Sequence, residues 1–473
     1  MRSYVSVNET IGECDSDSIQ RAVDLAAERG IGKVRIPRIN ERTGEPLWVI
    51  TKTVKLPSNM TVVLDNCFMQ MADDVVGGFF ASDNLFTERS TRLSERMHNI
   101  TIVGEGHAVL DGGKPTELNE GTQKALGVPV RLNTPIFFIN VEGFSVQNIS
   151  ITNQRYWGMR FEFCSRGIIR DIFFNVTRDR RNQDGINLRN GCHDILIENI
   201  FGQTGDDMIA LSAIDTGRKV GFEIDYPLIV EEHDWDIHDV TIRNISGAAI
   251  RHPLVALRNH NGAKIYNILI ENIRDTEKIG EVVRDDLERY AIIAIGGNSY
   301  AGIRFAEMGE TSDITVRDVV VRNSVRVMAL QAVIKNLLVS NVRAYGPCRS
   351  VISTGQDGWA DSKSGVKAEG ITLYDVCFEP ENKEKAKLFD FGCMRQGDYL
   401  KNIYADNINL SNVGALVALD EVCDTADISF GRLHLDAPDI KERTRVRHYD
   451  ELPKDLLGGY WLVDGKKTHE SDM

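Results

Sequence analysis

The chain has 473 residues, which is too long for one compact layered domain, because single hydrophobic cores usually stop growing near ~250–300 residues. Its 55 basic and 69 acidic residues give a net charge of −14, so its surface repels phosphate backbones and anionic lipid headgroups. We therefore expect no nucleic-acid partner and no membrane partner. A hydrophobic content of 42% is ordinary for a globular protein and argues against a disordered or fibrous chain.

The amino-terminal segment predicts a helix within about residues 12–30. Behind a Ser/Asp cap and ahead of Gly30, four apolar residues fall on one helical face: Ile19, Ala22, Val23 and Ala26. The strands that follow are predicted to stack, and the open end of such a stack is an exposed sheet edge. We expect the helix to cap that end.

The rest of the chain repeats a short pattern, in which an apolar residue, any residue, Asn or Asp, and a second apolar residue follow one another. The central residues are Asn148, Asp171, Asn199, Asn244, Asn272, Asp318, Asn341 and Asp375. Most spacings lie near one or two units of ~23 residues, which is typical of solenoids. Each unit holds short runs of Ile and Val that alternate with polar residues, without a helical crossover. This pattern predicts an all-β parallel β-helix with the Asn and Asp side chains stacked at bends, where they can hydrogen-bond the turning backbone.

The predicted organisation is one solenoid domain over residues 1–432 and a charged tail over residues 433–473 that packs on the outside of the coils. No apolar run near Met1 is long enough for a signal sequence or a membrane span, so we expect a cytoplasmic protein. The eight cysteines are scattered without metal-ligand spacing, and most lie in apolar runs. They are typical of small core side chains rather than of disulfides or a zinc site.

Polar residues gather at one edge when the strands are aligned on their apolar pairs. The residues at this edge are Arg155, Tyr156, Asn182, Asp184, Asp206, Asp207, Arg251, His252, Arg289 and Tyr290. The alignment places Asp184 and Asp207 at equivalent positions one coil apart, about 4.8 Å from each other. Like charges at this distance raise the pKa of one carboxyl group, so that an acid and a base are available at the same pH.

Two simpler interpretations stay open for these residues. The segments Gln183–Gly185 and Gly205–Asp207 are typical turn sequences when viewed singly. His252 aligns with Asp207 if Leu254 and Ala256 point inward, and with Asp206 if Val255 and Leu257 do. A core histidine is the alternative to a histidine in the cleft.

These residues resemble glycoside hydrolase family 28, the polygalacturonases and their relatives, which are right-handed parallel β-helices. The resemblance runs from about Gly12 to Val342 and includes Arg35-Ile-Pro37, Val109-Leu-Asp-Gly-Gly113 and Asn153-Gln-Arg-Tyr-Trp157. It is clearest at Asn182-Gln-Asp-Gly185 and Gly205-Asp-Asp207, where the family has Asn-Thr-Asp and, about 22 residues later, a Gly- or Gln-led Asp-Asp.

The resemblance implies a role for each acid. Asp184 and Asp207 would position and deprotonate the attacking water, Asp206 would protonate the departing glycosidic oxygen, and the anomeric centre would invert. His252 resembles the family's histidine, although the surrounding Gly-His-Gly is replaced by Arg251-His252-Pro253. The Arg-Ile-Lys strand that binds the substrate carboxylate should lie near 290–295, where the sequence has no Arg or Lys.

Either another arginine has taken over the clamp, or the sugar beside the scissile bond is neutral, such as rhamnose, galactose or xylose. A carboxylate clamp could come from Arg155, Arg160, Arg251, Arg258 or Arg289, with ion pairing to the acids as the simpler alternative. Tyr156 and Trp157 could form a floor for a sugar face, or could be ordinary coil packing. Asn182, Arg155, Tyr156, Trp157, Arg251, Arg289 and Tyr290 are the predicted substrate-binding set. Insertions at 213–237 and 297–312 are expected to wall the cleft and favour chain ends or short oligosaccharides.

Three alternatives to a hydrolase of pectin-type oligosaccharides stay open. One is a lyase that binds Ca²⁺ through the Asp residues and uses an Arg or Lys base. Another is a transferase or epimerase that uses the same carboxylates with water excluded. The third is a non-catalytic carbohydrate-binding solenoid. The sequence predicts an oligosaccharide as the partner and no metal or cofactor, and it does not indicate the sugar, the linkage or the oligomeric state.

Overall fold

The computed structural model describes residues 3–176, 182–214, 234–250, 252–277, 291–296, 304–354, 365–419, 425–436, 460–463 and 466–469. The chain divides into two compact units, the first with residues 1–240 and 249–251 and the second with residues 241–248 and 252–473. Within the part of the chain that is described, no helix is long and apolar enough to cross a membrane.

The first unit consists of coils whose strands pair in parallel with the matching strands of the next coil. Its short-strand sheet contains Val54–Leu56, Phe80–Ser82, Ile136–Ile139, Met159–Glu162, Ile186–Arg189 and Ile209–Ile214. Its long-strand sheet contains Val5–Ser6, Lys33–Ile36, Trp48–Ile50, Met60–Asp65, Phe68–Met71, Met97–Glu105, Val109–Asp111, Val141–Thr152, Ser165–Asn175, His193–Thr204 and the start of Ile237–Ala249.

The second unit has the same construction. Its short-strand sheet contains Val255–His260, Ala291–Ile295, Arg326–Leu330, Ser350–Thr354, Lys387–Phe391 and Ala415–Leu419. Its long-strand sheet contains Ile265–Asp275, Thr311–Val321, Ile334–Gly346, Lys367–Pro380, Tyr399–Ser411, Thr425–Phe430, Arg432–Asp436 and Tyr460–Val463, and Lys466–His469 pairs antiparallel to the last of these. Both units are all-β parallel β-helices, so the predicted fold class is confirmed.

Helical segments are short and few among the described residues. The α-helices are Asp15–Glu28 and Gln123–Leu126, and the 3₁₀ helices are Val7–Glu9, Glu88–Thr91, Leu93–Glu95, Val130–Asn133 and Lys383–Lys385. The predicted tail lies largely at residues 437–459 and 470–473, outside the described residues, so its packing on the coils stays a prediction.

The Asn and Asp residues of the repeat form the corners of the coils. All eight predicted positions have a positive φ, between 50° and 59°, which Asn and Asp adopt more readily than other non-glycine residues. Their side chains bond to one another along the stack: Nδ2 of Asn199 donates to Oδ1 of Asp171 at 2.8 Å, and Nδ2 of Asn272 donates to Oδ1 of Asn244 at 2.8 Å. The structure thus differs from the prediction of side-chain bonds to the turning backbone at these corners, although Asn148 does donate to the Gly104 carbonyl.

The amino-terminal helix buries the predicted face, since Ile19, Ala22, Val23 and Ala26 are fully buried. The helix begins at Asp15, and its N-cap residue makes no side-chain capping bond. Instead, the buried Asp15 carboxylate accepts from Arg42 at 2.6 Å and from the Val49 N–H at 2.7 Å. These bonds dock the start of the helix on the first coils.

Candidate active site

Asp184 and Asp207 lie at equivalent positions of neighbouring coils. The strands that follow them pair in register, with Ile186 opposite Ile209, and the Gly185 N–H donates to the Asp207 carbonyl at 2.9 Å. Adjacent strands are ~4.8 Å apart, so this register sets the two carboxylates side by side. The alignment made from the sequence is correct for this pair.

The two acidic motifs are also turns, and their backbones bond to each other. The Gln183 carbonyl accepts the N–H groups of Gly205, at 3.0 Å, and Asp206, at 3.3 Å. Asn182 has a φ of 61°, which bends the chain into the first turn. The turn interpretation and the site interpretation are therefore compatible, because the turns hold the acids in place.

Backbone donors fix the orientation of Asp206. One carboxylate oxygen accepts the Asn182 N–H at 3.0 Å, and the other accepts the Asp207 N–H at 2.9 Å. Asn182 thus contributes to the site through its main chain. Asp184, Asp206 and Asp207 are 4%, 8% and 2% exposed, and three carboxylates so well buried are costly for a residue set kept only for stability.

Three buried amide residues that the sequence analysis missed support the acids. Nδ2 of Asn187 donates to Oδ2 of Asp184 at 3.2 Å. Nε2 of Gln154 donates to the Asp184 carbonyl at 3.1 Å, and Nε2 of Gln183 donates to the Gln154 carbonyl at 2.7 Å. The polar Asn187 between the apolar Ile186 and Leu188 was the available signal for the first of these.

Arg155 is bonded to two backbone carbonyls of an earlier segment. Its guanidinium donates to the Ala72 carbonyl at 2.8 Å and to the Val75 carbonyl, and burial lowers its pKa against the opposing effect of Asp73 and Asp74. It anchors the loop between these carbonyls, so we leave Arg155 out of the proposed substrate clamp.

The two residues of the predicted sugar floor, Tyr156 and Trp157, pack on each other. Tyr156 is 5% exposed, its ring stacks on Trp157 with centroids 4.9 Å apart, and its hydroxyl donates to Glu120 at 3.1 Å. Burial raises the pKa of Tyr156 well above its usual value, and the charges of Glu120 and Asp184 add to this effect. Ordinary packing describes Tyr156 better than a sugar platform does.

Three arginines cluster around Trp157 and Glu162, two of them on the short-strand sheet and the third on the 3₁₀ helix Val130–Asn133. The guanidinium carbons of Arg160 and Arg189 are 5.0 and 5.5 Å from the Trp157 ring centroid. Fully buried Glu162 accepts from Nε of Arg160 at 2.7 Å and lies 3.9 Å from Nε of Arg189. We call Arg131, Arg160 and Arg189 the arginine cluster.

Electrostatics indicate that positive charge is crowded in the arginine cluster. Burial lowers the pKa of Arg131 to about 9, and repulsion from Arg160 and Arg189 contributes, although Glu162 opposes the shift. Arg160 is directly opposite Asn187 in the sheet, and Asn187 bonds to Asp184. The arginine cluster therefore begins one strand away from the acids. Arg131 was missed because it lies on a 3₁₀ helix outside the repeat.

The other predicted site residues lie in, or next to, segments outside the described residues. His252 is half-buried in the second unit, just before the strand Val255–His260. In that unit Val255 is opposite Ile293, so the alignment of those strands from the sequence is correct as well. Arg251, Arg289 and Tyr290 lie outside the described residues, as do 215–233 and 297–303 of the predicted cleft walls.

Part of the chain matches a known protein family. The model for glycosyl hydrolases family 28 matches residues 55–224, the part that contains all three acids. The predicted resemblance to this family is confirmed over that range, and the match supports a glycosidase. No curated protein matches the sequence at a significant level.

Two solved structures share the fold. A family 28 exopolygalacturonase of Yersinia enterocolitica is 14% identical, with a TM-score of 0.51 over 98% of this chain and 79% of that chain. A mutant tailspike protein of E. coli bacteriophage HK620, in complex with a hexasaccharide, is 12% identical, with a TM-score of 0.56 over 98% of this chain and 78% of that chain. At such identities the likeness shows the β-helix fold alone.

Proposed function

We propose that this protein is a glycoside hydrolase that cleaves a pectin-type oligosaccharide with inversion at the anomeric centre. The observation that carries the proposal is the register that pairs Asp184 with Asp207, with Asp206 oriented by two backbone donors. The family 28 match over these residues supports it.

The acids divide the chemistry between them. Asp206 protonates the departing glycosidic oxygen, while Asp184 and Asp207 hold a water and remove its proton as it attacks. Inversion follows because the water attacks directly, from the face opposite the leaving group, without a covalent sugar intermediate. The family resemblance adds His252 as an auxiliary residue at the scissile bond.

The arginine cluster favours a substrate with a carboxylate close to that bond. Arg189 has the most exposed side chain of the three, at 17%, and its guanidinium can take a carboxylate in a bidentate manner. A negative group there offsets positive charge that is otherwise confined at low dielectric. The alternative is a neutral sugar at this position, which needs no arginine clamp.

Action at a chain end is the finer part of the proposal. It rests on the insertions at 213–237 and 297–312, which the sequence predicts to wall the cleft. A chain-end enzyme releases one small product from the start of the reaction, whereas an internal cut lowers polymer length first.

One experiment separates the reaction classes. The full chain is incubated with oligogalacturonides, rhamnogalacturonan fragments and neutral pectic oligosaccharides in ¹⁸O-water, and the products are read by mass spectrometry. A hydrolase adds one labelled oxygen to one product, and Asp206→Asn abolishes this. An unsaturated product that absorbs ultraviolet light without the label identifies the lyase, and joined products identify a transferase.

A further inference from the structure

A pair of stacked histidines lies on the long-strand sheet of the first unit, whereas the acids precede strands of the short-strand sheet. The imidazole rings of His193 and His238 have centroids 4.9 Å apart and planes within 7° of parallel. His193 begins its strand, and the His238 N–H donates to the Cys192 carbonyl at 3.3 Å. The two rings therefore come from successive coils.

Each ring is held by the carboxylate of the next residue. Nδ1 of His193 is 2.8 Å from Oδ2 of Asp194, and Nδ1 of His238 is 2.6 Å from Oδ2 of Asp239. Both aspartates have a positive φ, 54° and 53°, so the same corner geometry turns each carboxylate back onto the preceding ring.

These bonds fix the tautomer of both rings. An ionised carboxylate only accepts hydrogen bonds, so Nδ1 carries the proton in the neutral ring and Nε2 carries the lone pair. A histidine that binds a metal usually has this arrangement, with its other nitrogen donating to a carboxylate that orients the ring and raises its basicity.

The side chains of His193 and His238 are 30% and 20% exposed, so an ion can reach them from solvent. Metal–nitrogen bonds of ~2.1 Å require the two Nε2 atoms to approach within ~4 Å. Both Nε2 lone pairs must also be directed at the ion, so binding turns the two rings out of their parallel stack.

We propose that His193 and His238 form a two-histidine site for a divalent first-row transition ion, with water completing the coordination shell. Imidazole nitrogen suits Zn²⁺, Ni²⁺ and Cu²⁺. The bound ion joins two successive coils, and it stabilises the folded chain because the unfolded chain does not hold the two rings together. The site is independent of the proposed glycosidase.

The test uses the full chain with any affinity tag removed. Titration with Zn²⁺ is followed by calorimetry, and Cu²⁺ is followed by electron paramagnetic resonance, which reports how many nitrogens bind the ion. We expect one site with two equivalent nitrogens, and a Tm that rises when the ion is added.

Substitutions complete the test. His193→Gln and His238→Gln should each weaken binding at least tenfold and remove the Tm rise. Asp194→Asn should weaken binding by roughly 10-fold to 100-fold through the ring orientation. His107→Gln, at an exposed histidine of the same unit, should change nothing. Failure of the wild-type chain to bind either ion, or two-nitrogen binding that survives loss of His193, overturns the proposal.

Discussion

The Gly185 N–H donates to the carbonyl of Asp207 at 2.9 Å. This hydrogen bond joins two neighbouring coils and places Asp184 and Asp207 at the same level. A slip of one residue would send one carboxylate to the other face of the sheet, because side chains alternate along a strand. The proposed chemistry depends on this register.

The three acids should act as one unit. Asp184→Asn, Asp206→Asn and Asp207→Asn should each lower kcat by roughly 10³-fold or more, because each group is needed in the same transition state. The losses should not add in the double variants, as measured by steady-state kinetics on the substrate found in the ¹⁸O screen. Asp171→Asn, at a corner position that asparagine suits equally, is the matched control. Near-full activity in Asp206→Asn contradicts the assignment of the acid.

The arginine cluster should bind the carboxylate of a charged substrate. Arg189→Met should raise KM roughly tenfold to 100-fold on oligosaccharides with a carboxylate near the scissile bond, because a charged hydrogen bond contributes ~1.5–3 kcal/mol. Neutral oligosaccharides should show little change. The matched control is Arg170→Met, an exposed arginine of the same unit. An equal effect on both substrate classes would assign the arginines to structure alone.

Chelation should separate activity from metal binding. Because carboxylates activate the water in the proposed mechanism, EDTA should leave kcat unchanged in an activity assay. The same treatment should lower the Tm of protein loaded at the two-histidine site. Loss of activity on chelation that calcium restores would move the assignment to the lyase.

The corner asparagines should contribute to stability in two separable ways. Asn199→Ala loses the bond to Asp171, and alanine tolerates a φ of 56° less well than asparagine does. We therefore expect the free energy of unfolding to fall by about 2–3 kcal/mol. Asn199→Gly keeps the backbone conformation and should lose only ~1 kcal/mol. Urea unfolding followed by circular dichroism measures both. Equal losses in the two variants would show that the left-handed corner contributes nothing.

Thiol reactivity should follow burial. Burial raises the pKa of the Cys164 and Cys348 thiols to about 12, so almost no reactive thiolate is present at pH 8. Exposed Cys393 should alkylate rapidly in the native protein, and the two buried thiols only after unfolding. Mass mapping of alkylated peptides distinguishes them, and rapid native labelling of Cys164 would contradict the packing of its coil.

The repeat was sufficient to predict the corners and the register. Asn199 and Asp171 could be placed because a coil must turn at a fixed period, and few residues other than Asn and Asp accept a left-handed corner. Asp184 and Asp207 could be aligned because apolar pairs on either side fix which residues share a level.

The directions of single side chains at the turns could not be predicted in this way. Arg155 is bonded to carbonyls at Ala72 and Val75, about 80 positions earlier, and no local period reports such a contact. Arg131 reaches the site from a segment between strands, where the repeat is interrupted. Contacts made by loops outside the repeat therefore decide where these two arginine side chains lie.

The most direct measurement of the central claim is proton NMR of the cleavage reaction, recorded before the products mutarotate. Attack by a water held between Asp184 and Asp207 predicts that the first anomer released has the configuration opposite to that of the cleaved bond. Release of the retained anomer would contradict the account, since it requires a covalent sugar intermediate and a different role for these carboxylates.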